Sequence, residues 1–488
     1  MSEQTNLASK KVLIVIPDWG LVWYIFCLEH AVELSKSGTE VSVLDLSNLN
    51  PRIFERRFWR FGLGLVQKNR LKDIKQKISK MYNIKLINNR LPKRTSSSYV
   101  MTKERNNIFV SAMASKYSNI TGRRYTQLEE IDSKIVEIER YFFDSTANLI
   151  ILLQNQFNFN EIITVNGRYV VDGAIVQACI ESNVKCSLLE AAGSTPGLYE
   201  MYDISPHDIP SVQEMHKEFW EGADSERNIV AERGLQKKLS GTDNPGFNFR
   251  MNFTEEFSEA HDPKSQKLAA FFPSSDREFA IFPEFNWRDS FGGSQGDAFL
   301  AFSRIAKANG YRVVVRVHPV DSKSSRELQN HFAETEDAIW RKLCAAGEAE
   351  IIESRSQVSS YDLISKADLC ATYASSISIE CILLEKPTLI LGESEISYCV
   401  PEICAFNEAD LNAKFSQGIP IMSKEALYPY GYWLESAGRE PKLFKFISDH
   451  EVYFEERLVN EYKQWAKRIH TLKNKIETII GNLFAAKF

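Results

Sequence analysis

The chain has 488 residues, 44% hydrophobic and 25% charged, with a formal net charge of −5. That balance excludes a disordered or fibrous chain and supplies core for about two domains. No apolar run approaches the roughly eighteen residues of a membrane span, the N-terminus is polar without a signal-peptide pattern, and none of the eight cysteines forms a CxxC; the expectation is a cytoplasmic protein with reduced thiols and no zinc site.

Lys11–Pro17 reads as a short buried strand. A helical pattern follows through Ala31–Gly38, with Gly38 as its cap, and Glu40–Asp45 is the next strand. This β-α-β opening is Rossmann-like. The glycine fingerprint is absent after the first strand, so no dinucleotide is placed there. Residues 52–160 read as a mainly helical insertion, with Ile131–Phe157 a long amphipathic stretch. Between Arg52 and Arg94, fourteen lysines and arginines meet two acids, Glu55 and Asp73, and are interleaved with Phe54, Phe58, Trp59 and Phe61. The segment is either a solvated basic face or a surface for an anionic partner such as a lipid headgroup; no motif supports nucleic acid.

Glu161–Val165 is a strand running into Asn166-Gly167-Arg168, and a helix follows over Val171–Asn183. Val184–Glu190 is the next strand and opens onto Ala191-Ala192-Gly193-Ser194. Residues 221–265 are polar, with a loop at 241–246 and a linker at His261–Ser265. Lys267–Phe272 begins a second β-α series and leads to Pro273-Ser274-Ser275-Asp276. A helix from about Gly296 to Asn309 precedes Tyr311–Arg316, which ends in Arg316-Val317-His318-Pro319. Ile351-Ile352, Leu369–Thr372 and Thr388–Leu391 continue the series, and from Ser423 the chain is aromatic and then helical. The expected architecture is α/β and GT-B-like: a Rossmann-like acceptor domain over 1–262, a Rossmann-like nucleotide-sugar domain over 263–425, and a helical tail over 426–488 packing back on the first domain.

Polar groups collect at the carboxyl ends of these strands, the edge where open α/β sheets bind ligands. Arg316 and His318 share one side of their strand end by alternation and suit a phosphate; the other reading of His318 is a ring stacked on Pro319. Tyr373-Ala374-Ser375-Ser376-Ile377-Ser378-Ile379-Glu380 starts a helix, where hydroxyls and amides suit a phosphate or simply cap. Glu380 could hold a ribose hydroxyl or act as a capping acid. Asp276, after Ser274 and Ser275, is either a cleft-facing nucleophile or base or a cap of the next helix, with Glu278 and Glu284 close by in sequence. Glu190, opposed to Asp276, would complete a carboxylate pair for glycosyl chemistry, or is a capping carboxylate in a Gly/Ser turn. Arg168 could bind a sugar carboxylate in bidentate fashion or form an inter-element salt bridge. His207, in Pro206-His207-Asp208, is a loop histidine that is either acceptor-facing or a surface residue.

Taken in order, Asn166-Gly167-Arg168, Glu190 to Gly193, Pro206-His207-Asp208, Ser274-Ser275-Asp276, Arg316 to Pro319 and Ser375-Ser376 with Glu380 resemble the motif series of bacterial capsule and lipopolysaccharide glycosyltransferases. The similarity is greatest to retaining β-Kdo transferases, which use CMP-Kdo. The His-Pro and Ser-Ser pair is also similar to bacterial sialyltransferases and polysialyltransferases. The resemblance spans roughly residues 160–400. It implies that His318, Ser375 and Ser376 bind the CMP phosphate, that Asp276 is the nucleophile of a double displacement, and that Glu190 is the second carboxylate, near the acceptor. It also implies a nucleotide-sugar donor, a glycan or glycolipid acceptor and no metal cofactor. The family's pattern carries a His or similar residue before this Glu, where the present chain has Leu188-Leu189. Other readings of the same residues are a UDP- or GDP-hexose transferase, a nucleotide-sugar 2-epimerase, and a non-catalytic assembly scaffold.

Overall fold

The computed structural model describes residues 10–17, 20–47, 65–87, 103–121, 128–192, 197–203, 206–240, 257, 267–274, 290–319, 327–448 and 451–459. Gly193, Ser275, Asp276, Glu278, Glu284, residues 52–64 and 88–94 of the basic stretch, the loop at 241–246, the linker at 261–265 and residues 460–488 lie outside the described residues.

The first sheet contains β1 (Lys11–Ile16), β2 (Glu40–Asp45), β3 (Lys85–Ile87), β4 (Glu161–Val165), β5 (Lys185–Ala191) and β6 (Tyr199–Tyr202). Their order is β3-β2-β1-β4-β5-β6, parallel throughout except for the antiparallel β5–β6 pair. Val12, Ile14 and Ile16 of β1 enter one core and Leu13 and Val15 the other, all fully buried. Successive side chains of a strand point to opposite faces, and a parallel sheet is covered on both. Each of these side chains contributes about 1.5–3 kcal/mol of burial. Helices α1 (Leu21–Lys36) and α2 (Leu65–Met81) cover the first face; α3 (Lys103–Thr121), α4 (Ser133–Phe157) and α5 (Val170–Glu181) cover the second.

The expected helical insertion therefore contains a strand. Residues β2, α2 and β3 form a regular β-α-β unit, and β3, only three residues long, is too short for periodicity to reveal. Within α2, Leu71, Ile74 and Ile78 are buried in the first core while Lys72, Lys77 and Lys80 are exposed. Lys72, Lys77 and Lys80 thus lie on the outer face of an amphipathic helix. Lys75 pairs with Asp45 and Lys77 with Glu455.

Between the sheets run α6 (Ile209–Glu221) and α7 (Arg227–Ser240). The second sheet holds β7 (Lys267–Phe272), β8 (Tyr311–Arg316), β9 (Glu350–Ile352), β10 (Leu369–Thr372) and β11 (Thr388–Ile390), all parallel, in the order β11-β10-β7-β8-β9. Helices α8 (Gln295–Ala308), α9 (Glu327–Gly347) and α12 (Glu408–Gln417) cover one face and α10 (Ser360–Lys366) and α11 (Ile377–Leu383) the other, with α13 (Tyr428–Ser436) packed against α11. Counted from β1 and from β7, both sheets share the Rossmann order, so the chain carries two Rossmann-like α/β units in a GT-B-like layout.

The polar span 221–265 contains α7, a helix that periodicity does not reveal because its inward-facing residues are Ala231, Gly234 and Leu235. With α6 and α13 it forms a helical layer on the second unit: Met215, Phe219 and Leu235 share a core with Ile379, Ile390, Val400 and Trp433. Among the described residues of the tail, the helix ends with α13. Beyond it lie β12 (Phe444–Ser448), β13 (Glu451–Phe454) and β14 (Arg457–Leu458), an antiparallel sheet. Phe444, Val452 and Phe454 join the first unit's core, and Glu29 accepts the Leu443 and Phe444 N–H groups at 2.6 and 2.7 Å. Phe444 and Phe446, two positions apart, and the Val452-Tyr453-Phe454 run are residue types that suit strands.

The chain thus leaves the first unit at 203–208 and returns at 437–443. The returning segment is clasped to β6 and α1: Arg439 N–H donates to the Tyr199 carbonyl at 2.7 Å, Gly438 N–H to Glu200 at 3.2 Å, and Arg439 pairs with Glu33 at 3.1 Å.

Candidate active site

The strand order reverses at β1/β4 in the first sheet and at β7/β10 in the second. Crevices at such switch points, outside the carboxyl ends of the strands, are where open α/β sheets bind ligands.

At the first switch point, β4 ends in Asn166 and Gly167, both left-handed at φ 53° and 77°. Asn tolerates that conformation; Gly167 is required, since a Cβ there would also lie 2.9 Å from Leu188 Cδ1. The turn brings Asn166 beside Glu190 of β5. Asn166 Nδ2 donates to Glu190 Oε2 and contacts His207 Nε2 at 3.1 Å. Trp23, in the first turn of α1, donates its indole N–H to Glu190 Oε1 at 3.0 Å, and the Ala191 N–H reaches the same oxygen at 2.9 Å. His207 arrives on the first crossing. Arg168 is buried, with its Nε 3.3 Å from Ser115 Oγ on α3. The buried Arg105 holds α3 to α5 through both oxygens of Glu181, at 2.8 and 2.6 Å. Asn166, Arg168, Glu190 and His207 therefore converge as one cluster, although they span forty-two positions. Trp23 and Ser115 were not legible as members; an indole in a first helical turn carries no motif.

Glu190 and His207 are only half-buried by accessible surface, yet protein surrounds them closely enough to desolvate their charged forms. Burial pushes the Glu190 carboxyl above its ordinary range, against the pull of Asn166, the Ala191 N–H, Trp23 and Arg168. Burial and the Arg168 charge hold His207 down to about 3, so its ring is neutral at physiological pH. Because Asn166 Nδ2 can only donate, His207 Nε2 accepts, and the ring proton sits on Nδ1. A partly desolvated carboxylate beside a neutral imidazole and an arginine is equipped to take a proton from a hydroxyl.

The second switch point distributes its predicted residues differently. Ser274 is buried and donates to the Tyr373 carbonyl at 3.0 Å, tying the ends of β7 and β10 together. Tyr373 is itself buried, its hydroxyl 3.3 Å from Ser290 Oγ, and Ala374 after it is left-handed at φ 47°. Ser375 is half-buried and Ser376 exposed; Ser376 heads α11 without a side-chain capping bond. Both stand at the carboxyl edge, as do the half-buried His318 and Pro319 beyond β8.

Three predicted binders are turned elsewhere. Arg316 is 1% exposed, and its guanidinium donates to the carbonyls of Val317, Glu353 and Ser356, clasping the ends of β8 and β9. Desolvation draws it down to about 10, which leaves it charged. Ser378 is fully buried and donates to the Ser375 carbonyl at 2.8 Å. Glu380, 6% exposed, lies 3.4 Å from the Tyr361 hydroxyl and 3.8 Å from Lys238 of α7. Alternation had placed Arg316 beside His318, but sequence does not show that three carbonyls outcompete a ligand for a buried guanidinium.

The loop after β11 meets the first unit's edge. Gln213 of α6 donates to the Ser394 carbonyl at 2.7 Å. Burial, then the nearby Asp208 charge, raises Glu393; burial raises Glu395 against the pull of Lys238. Tyr202 senses both Glu395 and Glu190, and is raised by burial and by these charges. Glu393 and Glu395 follow Gly392 without any motif, and only the tertiary fold brings them to this edge.

No family model matches the chain, and no curated protein matches it. Among solved structures it is similar to the Thermosulfurimonas dismutans KpsC β-Kdo 2,7 transferase, at 14% identity over 57% of this chain and 78% of that one, with a TM-score of 0.33. It is similar to the Neisseria meningitidis UDP-GlcNAc 2-epimerase bound to UDP-GlcNAc, at 12% identity over 88% and 95%, with a TM-score of 0.26. A glycosyltransferase from Rickettsia africae aligns at 10% identity over 88% and 92%, with a TM-score of 0.26. At these values the likeness concerns the chain path and assigns no activity.

Proposed function

We propose that the chain is a glycosyltransferase that moves a ulosonic acid, Kdo in the first instance, from a CMP donor to a surface-polysaccharide or lipopolysaccharide acceptor. The observation that carries this reading is the Glu190 cluster at one switch point of a doubly Rossmann-like chain, with serines and a histidine at the carboxyl edge of the other sheet. In this reading the phosphate of the nucleotide meets His318, Ser375 and Ser376, and no metal cofactor is included. Asp276 attacks the anomeric carbon as the bond to the CMP phosphate oxygen breaks, and CMP leaves with the electron pair. The acceptor hydroxyl then attacks the same carbon, the bond to Asp276 breaks, and Glu190 takes the hydroxyl proton. Two displacements retain configuration. Arg168 complements the carboxylate of an acidic sugar. The place of action is the cytoplasm, with the basic stretch Arg52–Arg94 against an anionic membrane surface; among the described residues no helix is long and apolar enough to cross a membrane.

The test is a thermal-shift panel of CMP, UMP, UDP, GDP and ADP with and without magnesium, repeated on His318→Ala. A shift with CMP alone, independent of magnesium and lost in the variant, supports the reading. A shift with UDP or GDP replaces it with a hexose transferase or epimerase, and no shift with any nucleotide overturns it in favour of a scaffold.

A further inference from the structure

We infer that Trp23 is a positioning residue for this transfer: its indole N–H fixes one oxygen of Glu190 and leaves the other to exchange a proton with the acceptor hydroxyl. The inference rests on the proposed role of Glu190 as base and adds how that base is aimed.

A carboxylate has about four lone-pair sites, two on each oxygen. On Glu190 Oε1, both are occupied by donors, Trp23 Nε1 at 3.0 Å and the Ala191 N–H at 2.9 Å. On Oε2, one is occupied by Asn166 Nδ2. The remaining Oε2 site is the one through which a proton can pass. All three partners are pure donors, so none can accept a proton carried by Glu190, and the arrangement favours the ionised, proton-taking form. Removing the indole donor both frees the carboxylate to rotate and weakens its ionised form.

The other polar and charged groups around Glu190 do not substitute for Trp23. Arg168 acts from the β4 turn as a charge, and His207 on the crossing is neutral and engaged with Asn166. Tyr202 on β6 senses the charge through its hydroxyl. Glu200 pairs with Glu190 in register across β5–β6, but its carboxylate accepts from the Gly438 N–H and faces Arg439. Trp23 alone reaches the site from α1, the helix that follows the switch-point strand.

The experiment replaces Trp23 by phenylalanine, and in parallel by β-(benzothien-3-yl)alanine, which keeps the indole's shape and loses only the N–H. Transfer is followed from CMP-Kdo and from CMP-sialic acid across pH. The acid limb of kcat/KM moves upward by about one pH unit, equivalent to about a tenfold loss at a fixed pH on that limb, while the CMP thermal shift is unchanged. A uniform fall in kcat with an unmoved limb overturns the inference. If the wild-type chain transfers neither sugar, the proposed function fails while this contact stays testable. The carboxyl band lost in Glu190→Gln, followed by difference infrared titration, moves upward in pH in the isosteric variant if Trp23 holds the carboxylate, and an unmoved band sinks that role.

Discussion

The crossing of α7 and α13 makes a sharp quantitative test of the helical layer on the second unit. The two helices touch at Gly234 and Gly431. A Cβ on Gly234 would lie 2.1 Å from the Gly431 carbonyl oxygen and 3.2 Å from Glu435 Cβ. Ordinary heavy-atom contact is about 3.5 Å, so Gly234→Ala forces the backbones apart by about 1.4 Å. Overpacking of that kind costs about 3 kcal/mol, at the upper end because the atom met is backbone and not a side-chain tip. Alanine returns about 1 kcal/mol of helix propensity, leaving a net loss of about 2 kcal/mol. Gly173 in α5 is the control. A Cβ there meets nothing nearer than 3.5 Å, so Gly173→Ala keeps only the propensity gain, about 0.5–1 kcal/mol. Calorimetry and urea unfolding followed by circular dichroism read both. A unit of this size moves about 2–4 °C per kcal/mol, so Gly234→Ala lowers its transition by about 4–8 °C while Gly173→Ala raises it slightly. Equal stabilisation by both alanines would refute the close crossing and with it the assignment of α7 to the second unit.

Other perturbations separate site from scaffold. Glu190→Gln abolishes transfer and gains stability relative to the parent chain as pH rises, since a carboxyl whose folded pKa is raised favours the fold below its ordinary pKa and loses that contribution as pH rises through the folded value. The advantage of the variant therefore shrinks on acidification; a constant gap would mean that Glu190 is not desolvated. His216 is fully buried, its ring 4.3 Å from Trp433, and burial holds it down to about 3. A histidine lowered in the fold costs stability as pH falls from its unfolded value near 6.5 toward 3, so His216→Phe flattens the acid limb of a stability–pH profile, and an unchanged limb would exclude it as a source of acid lability. Arg316→Met leaves the carbonyls of Val317, Glu353 and Ser356 without its guanidinium and lowers stability by about 3 kcal/mol with little change in CMP affinity. A large loss of affinity at unchanged urea midpoint would return Arg316 to the phosphate site.

The sequence by itself determined the α/β class and the doubled β-α series. Continuous apolar runs such as Val12–Ile16 and Val313–Val315 report burial on both faces of a parallel sheet, and that signal is local. It also placed Asn166, Glu190 and His207 at loops after strands or near them, because polar residues that end an apolar run mark the sheet's carboxyl edge. Side-chain direction was decided only by the tertiary structure. Arg316 and Glu380 look like ligand binders in a linear motif, but a buried charge goes to whatever donor or acceptor the fold puts within reach, and here those are three carbonyls for Arg316 and the neighbourhood of Tyr361 and Lys238 for Glu380. Trp23 joined the site for the converse reason: its partner is 167 positions away, and no periodicity encodes a contact of that separation. The allegiance of α6, α7 and β12–β14 was likewise settled by packing. An apolar helix face or a three-residue strand is stable on any sheet that covers it, and which sheet that is depends on how the whole chain closes.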